Sequence, residues 1–255
     1  MKIVSKVLNS IPRPILIKIS FWAKPVIAFF LKGTKYTDPI DKKSYRKFLP
    51  YGYEKIRENV LAPGTLSLER HRLFWLYLEN ETDFFTSKKK HKLLHFAPEQ
   101  AFYKRFRKIK NLDYTTTDLN SPLADVKADI CNLPFKDNEF DYIFCNHVLE
   151  HIPDDTKAMQ ELYRVLAPRG IGIFQIPQEL SRATTFEDDS ITDPKERAKI
   201  FGQYDHVRIY GRDYFDKLRS IGFEVSEVDY TQKLSETDIN KYRLAKGEII
   251  PVVNK

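Results

Sequence analysis

Strand-like and helix-like stretches alternate along the chain from Lys92 onward. Such alternation is typical of α/β proteins, because a helix carries the chain from the end of each strand back to the start of the next. We expect strands at 92–97, 112–117, 128–130, 140–146, 171–176, 223–230 and 249–253. Helices are expected at 99–110, 153–166 and 211–221, the second of them ended by Pro168-Arg169-Gly170. The pattern therefore predicts a mostly parallel sheet.

The positive charge of the chain is concentrated at its amino terminus. Residues 1–37 contain seven of the 42 basic residues and no acidic one, so residues 38–255 are electrically balanced. A balanced body does not favour nucleic acid as a partner. Hydrophobic residues make up 42% of the chain and charged residues 30%, which excludes intrinsic disorder. The only two cysteines, Cys131 and Cys145, are too few for a disulfide framework and favour a cytoplasmic protein.

The segment 1–35 is an apolar, basic arm that we expect to be helical. Lys18 and Lys24 interrupt its longest apolar stretch, and each would cost about 2.5–3.5 kcal/mol near the centre of a bilayer. A membrane span is therefore disfavoured. Two interpretations remain open. The arm lies on the inner face of the membrane, with Trp22 at the headgroup boundary and lysines against anionic lipid, or it packs on the body.

Polar residues follow several of the predicted strands, at the edge where parallel sheets bind ligands. Asp118 comes after the second strand, where a carboxylate suits the two hydroxyls of a ribose. Asp129 lies at the carboxyl end of the third, where an acid suits the amine of adenine, and Ile130 would pack on the purine. This order of side chains favours an adenosine-containing ligand.

The run 128–154 resembles the central signature of class I S-adenosylmethionine-dependent methyltransferases of the type 11 group, and 164–170 continues it. The likeness covers about 92–230. It implies a Rossmann-like, doubly wound sheet of seven strands whose last strand is antiparallel, with S-adenosyl-L-methionine as cofactor. The cofactor-binding residues that we predict are His95, Phe96, Ala97, Glu99, Asp118, Leu119, Asp129, Ile130 and Asn146. The absence of G-x-G-x-x-G disfavours a nicotinamide dehydrogenase.

The first loop, 94–99, departs from that family because it contains no glycine. Glycine lets a backbone approach a ligand closely, so the loop also allows a non-catalytic cofactor-binding protein. The chain is similar, however, to a narrower bacterial group with the same H-F-A-P-E turn, through 48–52, 67–72 and 201–208. This similarity favours a functional variant, in which Glu99 faces the ammonium group of the cofactor.

Some members of that narrower group carry a zinc ribbon of paired C-x-x-C knuckles. The equivalent stretches here are 38–41 and 62–65, which contain no cysteine, so we expect a metal-free remnant. The predicted domains are the arm 1–35, an extension 36–90, and a methyltransferase domain 91–255 with a lid insert at 178–210.

Four side chains are candidates for the catalytic groups: His147, His151, Asp205 and His206. Tyr204, Arg208 and Tyr210 are candidates for substrate binding, because they lie in the insert at the ligand edge. Metal ligation by the three histidines is an unspecific alternative, and we predict no metal. The expected acceptor is a lipid-like or membrane-proximal small molecule, and nothing in the sequence indicates the oligomeric state.

Overall fold

The computed structural model describes residues 23–52 and 56–255. Its secondary structure, in chain order, is a helix α1 that includes residues 23–30, followed by β1 (Lys32–Asp38), β2 (Lys43–Tyr45), β3 (Leu49–Tyr51), β4 (Arg57–Leu61), α2 (Glu69–Glu81), β5 (His91–Phe96), α3 (Gln100–Phe106), β6 (Leu112–Asp118), β7 (Val126–Lys127), β8 (Phe140–Phe144), α4 (Asp155–Val165), β9 (Leu166–Ile173), β10 (Phe186–Glu187), α5 (Pro194–Phe201), β11 (Arg208–Ile209), α6 (Tyr214–Ile221), β12 (Glu224–Val228), α7 (Glu236–Tyr242) and β13 (Ile250–Asn254). Short 3₁₀ turns lie at Leu149–His151 and Tyr230–Lys233.

The described residues form two compact units. The first takes the residues before Ser87, together with Gln100–Lys104 and Tyr230–Glu248, and the second takes Ser87–Glu99, Arg105–Asp229 and Ile249–Lys255. The first unit thus includes segments of the chain that we had assigned by sequence to the methyltransferase domain 91–255. The predicted arm boundary at residue 35 also differs, because β1 begins at Lys32 and pairs with β2.

In the first unit, two short antiparallel pairs, β1–β2 and β3–β4, flank a small apolar core that includes Tyr45 and Phe48. The fully buried Arg72 of α2 donates from Nη1 to the carbonyl oxygens of Val60, at 2.9 Å, and Ser67, at 2.7 Å. Burial lowers the pKa of Arg72 to about 10. The guanidinium therefore ties α2 to β4 and to the segment after it through backbone acceptors.

The two stretches that we matched to zinc knuckles are joined by hydrogen bonds. Thr65 donates from its hydroxyl to the fully buried carboxylate of Asp38, and the Ser67 hydroxyl lies 3.2 Å from the same oxygen. Tyr45 donates to Asp41 at 2.9 Å. Burial raises the pKa of Asp38, and the nearby Asp41 adds to that effect. Polar side chains thus link the two stretches.

The second unit is built on a seven-stranded sheet, in the order β12-β13-β9-β8-β5-β6-β7. β13 is antiparallel to both of its neighbours, and the central pairs β5–β6, β5–β8 and β8–β9 are parallel. The predicted fold class is confirmed: the sheet is Rossmann-like and its last strand in sequence is antiparallel. Its core includes Leu94 and Ile143 from the strands and Leu162 and Val165 from α4, all fully buried. Each such side chain contributes about 1.5–3 kcal/mol relative to an exposed one.

Two predicted strand positions are wrong. The third strand is β7 at Val126–Lys127, and 128–130 follows it. β9 begins at Leu166 and runs through Pro168-Arg169-Gly170, which we expected to be a turn. Arg169 has a φ of 63°, and a Cβ added to Gly170 would lie 2.8 Å from the Ala167 carbonyl oxygen. A shift in the pairing register of β8 and β9 accommodates this bulge, so the strand continues where the sequence suggested an end.

Within the described ranges, no helix combines the length and the hydropathy that crossing a bilayer requires.

Candidate active site

The loop after β5 takes its shape without glycine. Ala97 has a φ of 44°, a left-handed conformation that glycine usually supplies. Its backbone N–H donates to the carbonyl oxygen of Thr117, at the end of β6, at 2.9 Å. An L-residue in this region costs about 1–2 kcal/mol, so the surrounding structure holds the loop in a strained form.

The carboxylate of Glu99 is fixed by one side chain from β5 and one from the loop after the neighbouring β8. One oxygen is hydrogen-bonded to Nε2 of the fully buried His95, and the other accepts from Nδ2 of Asn146 at 3.3 Å. His95 is itself held by the Tyr114 hydroxyl, 2.8 Å from Nδ1. The Glu99 side chain retains 15% exposure. A positioned, accessible carboxylate of this kind is suited to binding a cationic group.

Asp118, the last residue of β6, is held by the backbone that follows it. Its Oδ1 accepts from the N–H groups of Asn120, at 2.7 Å, and Ser121, at 2.6 Å. Its Oδ2 makes no hydrogen bond to any residue that the structure describes. Leu119, beside it, is 63% exposed. The edge of β6 therefore offers an oriented acceptor next to an apolar surface.

The residues after β7 divide into an exposed acid and a buried neighbour. Asp129 is exposed, and its Oδ1 accepts from the backbone N–H of Cys131 at 2.9 Å. Ile130 and Phe96, both predicted to contact the cofactor, lie in the apolar core with 5% and 3% exposure. Of these three residues, Asp129 has the side chain that a ligand in solution reaches directly.

The loop after β8 is tied to the end of β9. The His147 N–H donates to the Gln175 carbonyl oxygen at 2.7 Å, and the Gln175 N–H lies 3.4 Å from Oδ1 of the buried Asn146. His147 has a φ of 55°. A positive φ at a residue other than glycine is uncommon and concentrates at functional sites.

The insert at 178–210 is anchored on the turn after β8 by Arg208. This side chain is 4% exposed, and it donates to the backbone carbonyl oxygens of Leu149, Ile152 and Pro153. From Nε it also donates to Glu187 of β10 at 2.8 Å. Arg208 thus joins β11, β10 and the Leu149–His151 turn.

The three predicted substrate residues lie in different environments. Tyr210 is fully buried and donates to Oδ2 of Asp155 at 2.7 Å, which gives it a packing role like that of Arg208. Burial raises the pKa of Tyr210 well above its usual value, and the nearby Asp155 adds to that effect. Tyr204 is 62% exposed and remains accessible.

The three histidines among the predicted catalytic residues lie close to Glu150, which we did not predict. His147 Nδ1 lies 3.3 Å from one Glu150 oxygen, and His151 Nδ1 lies 3.4 Å from Oδ2 of Asp205. The rings of His151 and His206 meet nearly at right angles, with their centroids 4.7 Å apart. Burial lowers the pKa of His206, an effect that Glu150 opposes and His151 reinforces. The signal in the sequence was an acid placed between two candidate histidines.

Two polar side-chain atoms at this edge are buried without a hydrogen-bond partner in the described part of the chain. They are Oε2 of Glu150 and Nε2 of Gln175, on residues with 1% and 3% exposure. Leaving such an atom unpaired costs about 1–3 kcal/mol, and more when it is charged. Both lie in segments that follow sheet strands, as the predicted ligand residues do.

Residues 92–174 match the family model described as a methyltransferase domain. The chain is also 48% identical over 46 residues to the demethylmenaquinone methyltransferase of Staphylococcus saprophyticus, which covers 18% of this chain and 20% of that protein. It is 30% identical over 144 residues to the ubiquinone/menaquinone biosynthesis C-methyltransferase of Rickettsia felis, with 48% of this chain and 54% of that one covered. The matches therefore span between a fifth and about half of these relatives.

Among solved structures, the chain is similar to an S-adenosylmethionine-dependent methyltransferase from Mesorhizobium loti. The TM-score is 0.47 at 14% identity, with 71% of this chain and 96% of that one covered. The strand order and the family match together show that the chain carries a class I methyltransferase domain. The cofactor of such a domain is S-adenosylmethionine, as the sequence predicted.

Proposed function

We propose that this chain transfers a methyl group from S-adenosylmethionine to a lipid-like small molecule. The observation that carries the proposal is that three polar side chains lie together at one edge of the sheet. Within the segment that matches the methyltransferase family, the loops after β5, β6 and β8 present Glu99, Asp118 and Asn146 at one edge of the sheet. These are the strand ends at which α/β sheets bind nucleotides.

The polar residues among the predicted cofactor ligands each have a chemical task in this proposal. The Glu99 carboxylate pairs with the ammonium group of the cofactor, while His95 and Asn146 hold it in place. Oδ2 of Asp118 accepts from the ribose hydroxyls, and Asp129 accepts from the adenine amine. The pocket supplies binding and orientation, and the sulfonium supplies the reactive methyl group.

The proposed acceptor class has two kinds of support. Relatives that match part of the chain are described as quinone methyltransferases, and a sterol 24-C-methyltransferase of Schizosaccharomyces pombe is 27% identical over 140 residues, 54% of this chain and 36% of that one. In addition, α1 exposes Phe29 and Phe30, at 74% and 68%. Exposed aromatic side chains beside a basic segment suit contact with a membrane surface, where a lipid-like acceptor resides.

A second candidate is a cofactor-binding protein without turnover. The glycine-free loop favours it, because hydrogen bonds from His95 and Asn146 already engage the Glu99 carboxylate in this structure. The two candidates predict the same cofactor binding and differ in product. Only the enzyme releases S-adenosylhomocysteine in the presence of an acceptor.

The experiment starts with calorimetric titration of the full chain with S-adenosylmethionine. The protein is then incubated with methyl-labelled cofactor and with membrane lipid extracts, reduced quinones and sterols, and both S-adenosylhomocysteine and labelled lipid are measured. Binding followed by acceptor-dependent product supports the proposal. Binding without product in every extract favours the second candidate, and a folded protein that does not bind the cofactor contradicts both.

A further inference from the structure

Glu150, His151 and His206 form a compact group beside the 178–210 insert, which we call the His–Glu cluster. We propose that this cluster binds a divalent first-row transition-metal ion, with zinc as the best chemical match. The set combines two imidazoles and one carboxylate, which is a common ligand combination of catalytic zinc sites and leaves further positions open. From the sequence alone we predicted no metal. The alternative that we considered used the three histidines as ligands and did not include Glu150.

The first argument is distance. One ligand atom from each of the three residues lies within 4.8 Å of the other two. With metal–nitrogen and metal–oxygen bonds of about 2.0–2.2 Å, two ligands at the tetrahedral angle are about 3.3–3.6 Å apart. The cluster therefore needs to contract by at most about 1.5 Å to bind one ion. Within the residues that the structure describes, this is the one such group of histidine, cysteine and acidic side chains.

The second argument is the hydrogen bonding of the two rings. His206 Nδ1 lies 3.1 Å from the Phe201 carbonyl oxygen, and His151 Nδ1 lies 3.3 Å from that of Asp205. A carbonyl oxygen only accepts, so each Nδ1 carries the proton and each Nε2 keeps its lone pair. A histidine that binds a metal typically donates its other ring N–H to a carbonyl or carboxylate in this way. Both rings are thus held in a tautomer that can ligate.

The third argument is the carboxylate between them. Glu150 is 1% exposed, and its Oε2 has no hydrogen-bond partner among the described residues. Its other oxygen faces Nδ1 of His147. Burial raises the pKa of the Cys145 thiol and Glu150 adds to that effect, so the carboxylate lies close to a buried neutral group. A buried, half-paired carboxylate is costly, and a cation bound at Oε2 would offset that cost.

The position of the cluster gives the metal a task that rests on the proposed function. The Leu149–His151 turn follows β8 three residues after Asn146, which donates to the predicted ammonium ligand Glu99. A metal here would bind a hydroxyl oxygen of the acceptor and promote loss of its proton to solvent. The oxygen then forms a bond to the methyl carbon while the carbon–sulfur bond of the cofactor breaks. The electron pair of the broken bond stays on the sulfur, which leaves as S-adenosylhomocysteine.

The test is a titration of the full, untagged chain with Co²⁺ after dialysis against a chelator. Bound Co²⁺ is read from its visible absorption, and competition with Zn²⁺ gives the zinc affinity. We expect one equivalent of Co²⁺ to bind. Removal of a residue that only hydrogen-bonds a metal ligand lowers metal affinity about 10–100-fold. We expect a larger loss of Co²⁺ affinity in His206→Ala and Glu150→Gln, because each variant removes a ligand itself. The matched control is His91→Ala. His91 is the first residue of β5, at the other end of the strand from the ligand edge, so this variant should bind Co²⁺ like the parent.

Absence of stoichiometric Co²⁺ binding by the folded parent would overturn the proposal, and so would equal binding by the two cluster variants and the parent. Glu150→Gln keeps the shape of the side chain, so it guards against loss of binding through misfolding, which circular dichroism checks. Cofactor binding is measured on the same samples by calorimetry. A chain that binds S-adenosylmethionine but no metal refutes only the metal site, whereas the reverse result refutes only the proposed function.

Discussion

Asn146 donates from Nδ2 to Oε1 of Glu99 at 3.3 Å, and so joins the loop after β8 to the loop after β5. The two strands are parallel neighbours, so their carboxyl ends lie at the same edge. His95 holds the second oxygen of the same carboxylate. One acid thus fixes two loops and keeps an accessible negative charge, in a place where other methyltransferases of this fold class have a glycine-rich turn.

Replacing Glu99 by Gln should weaken S-adenosylmethionine binding at least tenfold. The variant can keep a hydrogen bond to Asn146 but loses the charge that faces the ammonium group, and a charge-assisted hydrogen bond contributes about 1.5–3 kcal/mol. Calorimetry measures the change. Glu139→Gln, at the opposite end of the sheet, is the control. An unchanged affinity in folded Glu99→Gln would remove this carboxylate from the cofactor site.

Asp118→Ala should also weaken cofactor binding by at least tenfold without unfolding the protein. The carboxylate is oriented by two backbone N–H groups, and its Oδ2 is the predicted acceptor for the ribose hydroxyls. Asp113→Ala, at the start of the same strand, is the control. Calorimetry measures the cofactor affinity of both variants. Equal affinities would contradict the assignment of Asp118 to the ribose hydroxyls.

Arg208→Lys should destabilise the fold and slow turnover more than it weakens cofactor binding. Lysine keeps the charge but lacks the fork that reaches three backbone carbonyl oxygens and Glu187. We expect a loss of about 2–4 kcal/mol in the free energy of unfolding. Urea unfolding measures the loss. Arg212→Lys, at an exposed arginine just after that segment, should change it little, and similar effects of both would argue against the anchoring role.

Glu248→Gln should make the protein more stable at neutral and alkaline pH. Burial raises the pKa of Glu248 from its usual 4.5 to about 7, an effect that Arg70 opposes and Glu69 reinforces. The folded chain therefore binds this proton more tightly than the unfolded chain. Its contribution is most favourable below pH 4.5 and is lost as the pH rises through 7.

In Glu248→Gln this pH-dependent loss should disappear, and the gain above pH 7 should be about 1–3 kcal/mol after allowance for solvent screening. Urea unfolding between pH 4 and 8 measures it, with the fluorescence of Trp75 as a probe in the same unit. Glu58→Gln, at an exposed position of β4, should leave the pH profile unchanged. The same pH profile in Glu248→Gln and the parent would contradict the assignment.

Phe29 and Phe30 should contribute to binding of anionic vesicles. Their exposed rings supply an apolar contribution that salt does not screen, whereas the lysines of the arm act through charge and are screened. Vesicle flotation of the parent should therefore weaken but persist as the salt concentration rises. The double variant Phe29→Ser, Phe30→Ser should lose the salt-resistant part, with Tyr204→Ser, another exposed aromatic residue, as control. Residues 1–22 of the predicted arm lie outside the described residues, and deleting them tests whether they add to this binding.

The central strands could be predicted from sequence because the apolar pattern alone defines them. β5 and β8 carry runs of side chains such as Leu93, Leu94 and Ile143 that are buried completely, and such runs have few alternatives in an α/β chain. The bulge in β9 could not be predicted, because Pro168 and Gly170 usually mark a turn and here only the pairing with β8 keeps the strand intact.

The candidate catalytic residues were predicted one by one, but the cluster that two of the histidines form with Glu150 was not predicted. Asp205 is 54 residues from His151, and they meet because Arg208 holds the insert on the turn after β8. No local pattern reports such a contact. Glu150 was overlooked because an acid inside a short apolar turn is usually exposed, whereas this one is turned inward.

The place of β13 between β9 and β12 has a consequence for biosynthesis. During translation the ribosome releases β5 to β9 and β12 before Ile250–Asn254, so the nascent sheet exists as a five-stranded piece and a separate strand. Both pieces present unpaired edges, which invite association with other chains. Closure of the sheet must therefore wait until β13 leaves the exit tunnel. A chaperone that covers strand edges should associate with the chain until β13 is in place.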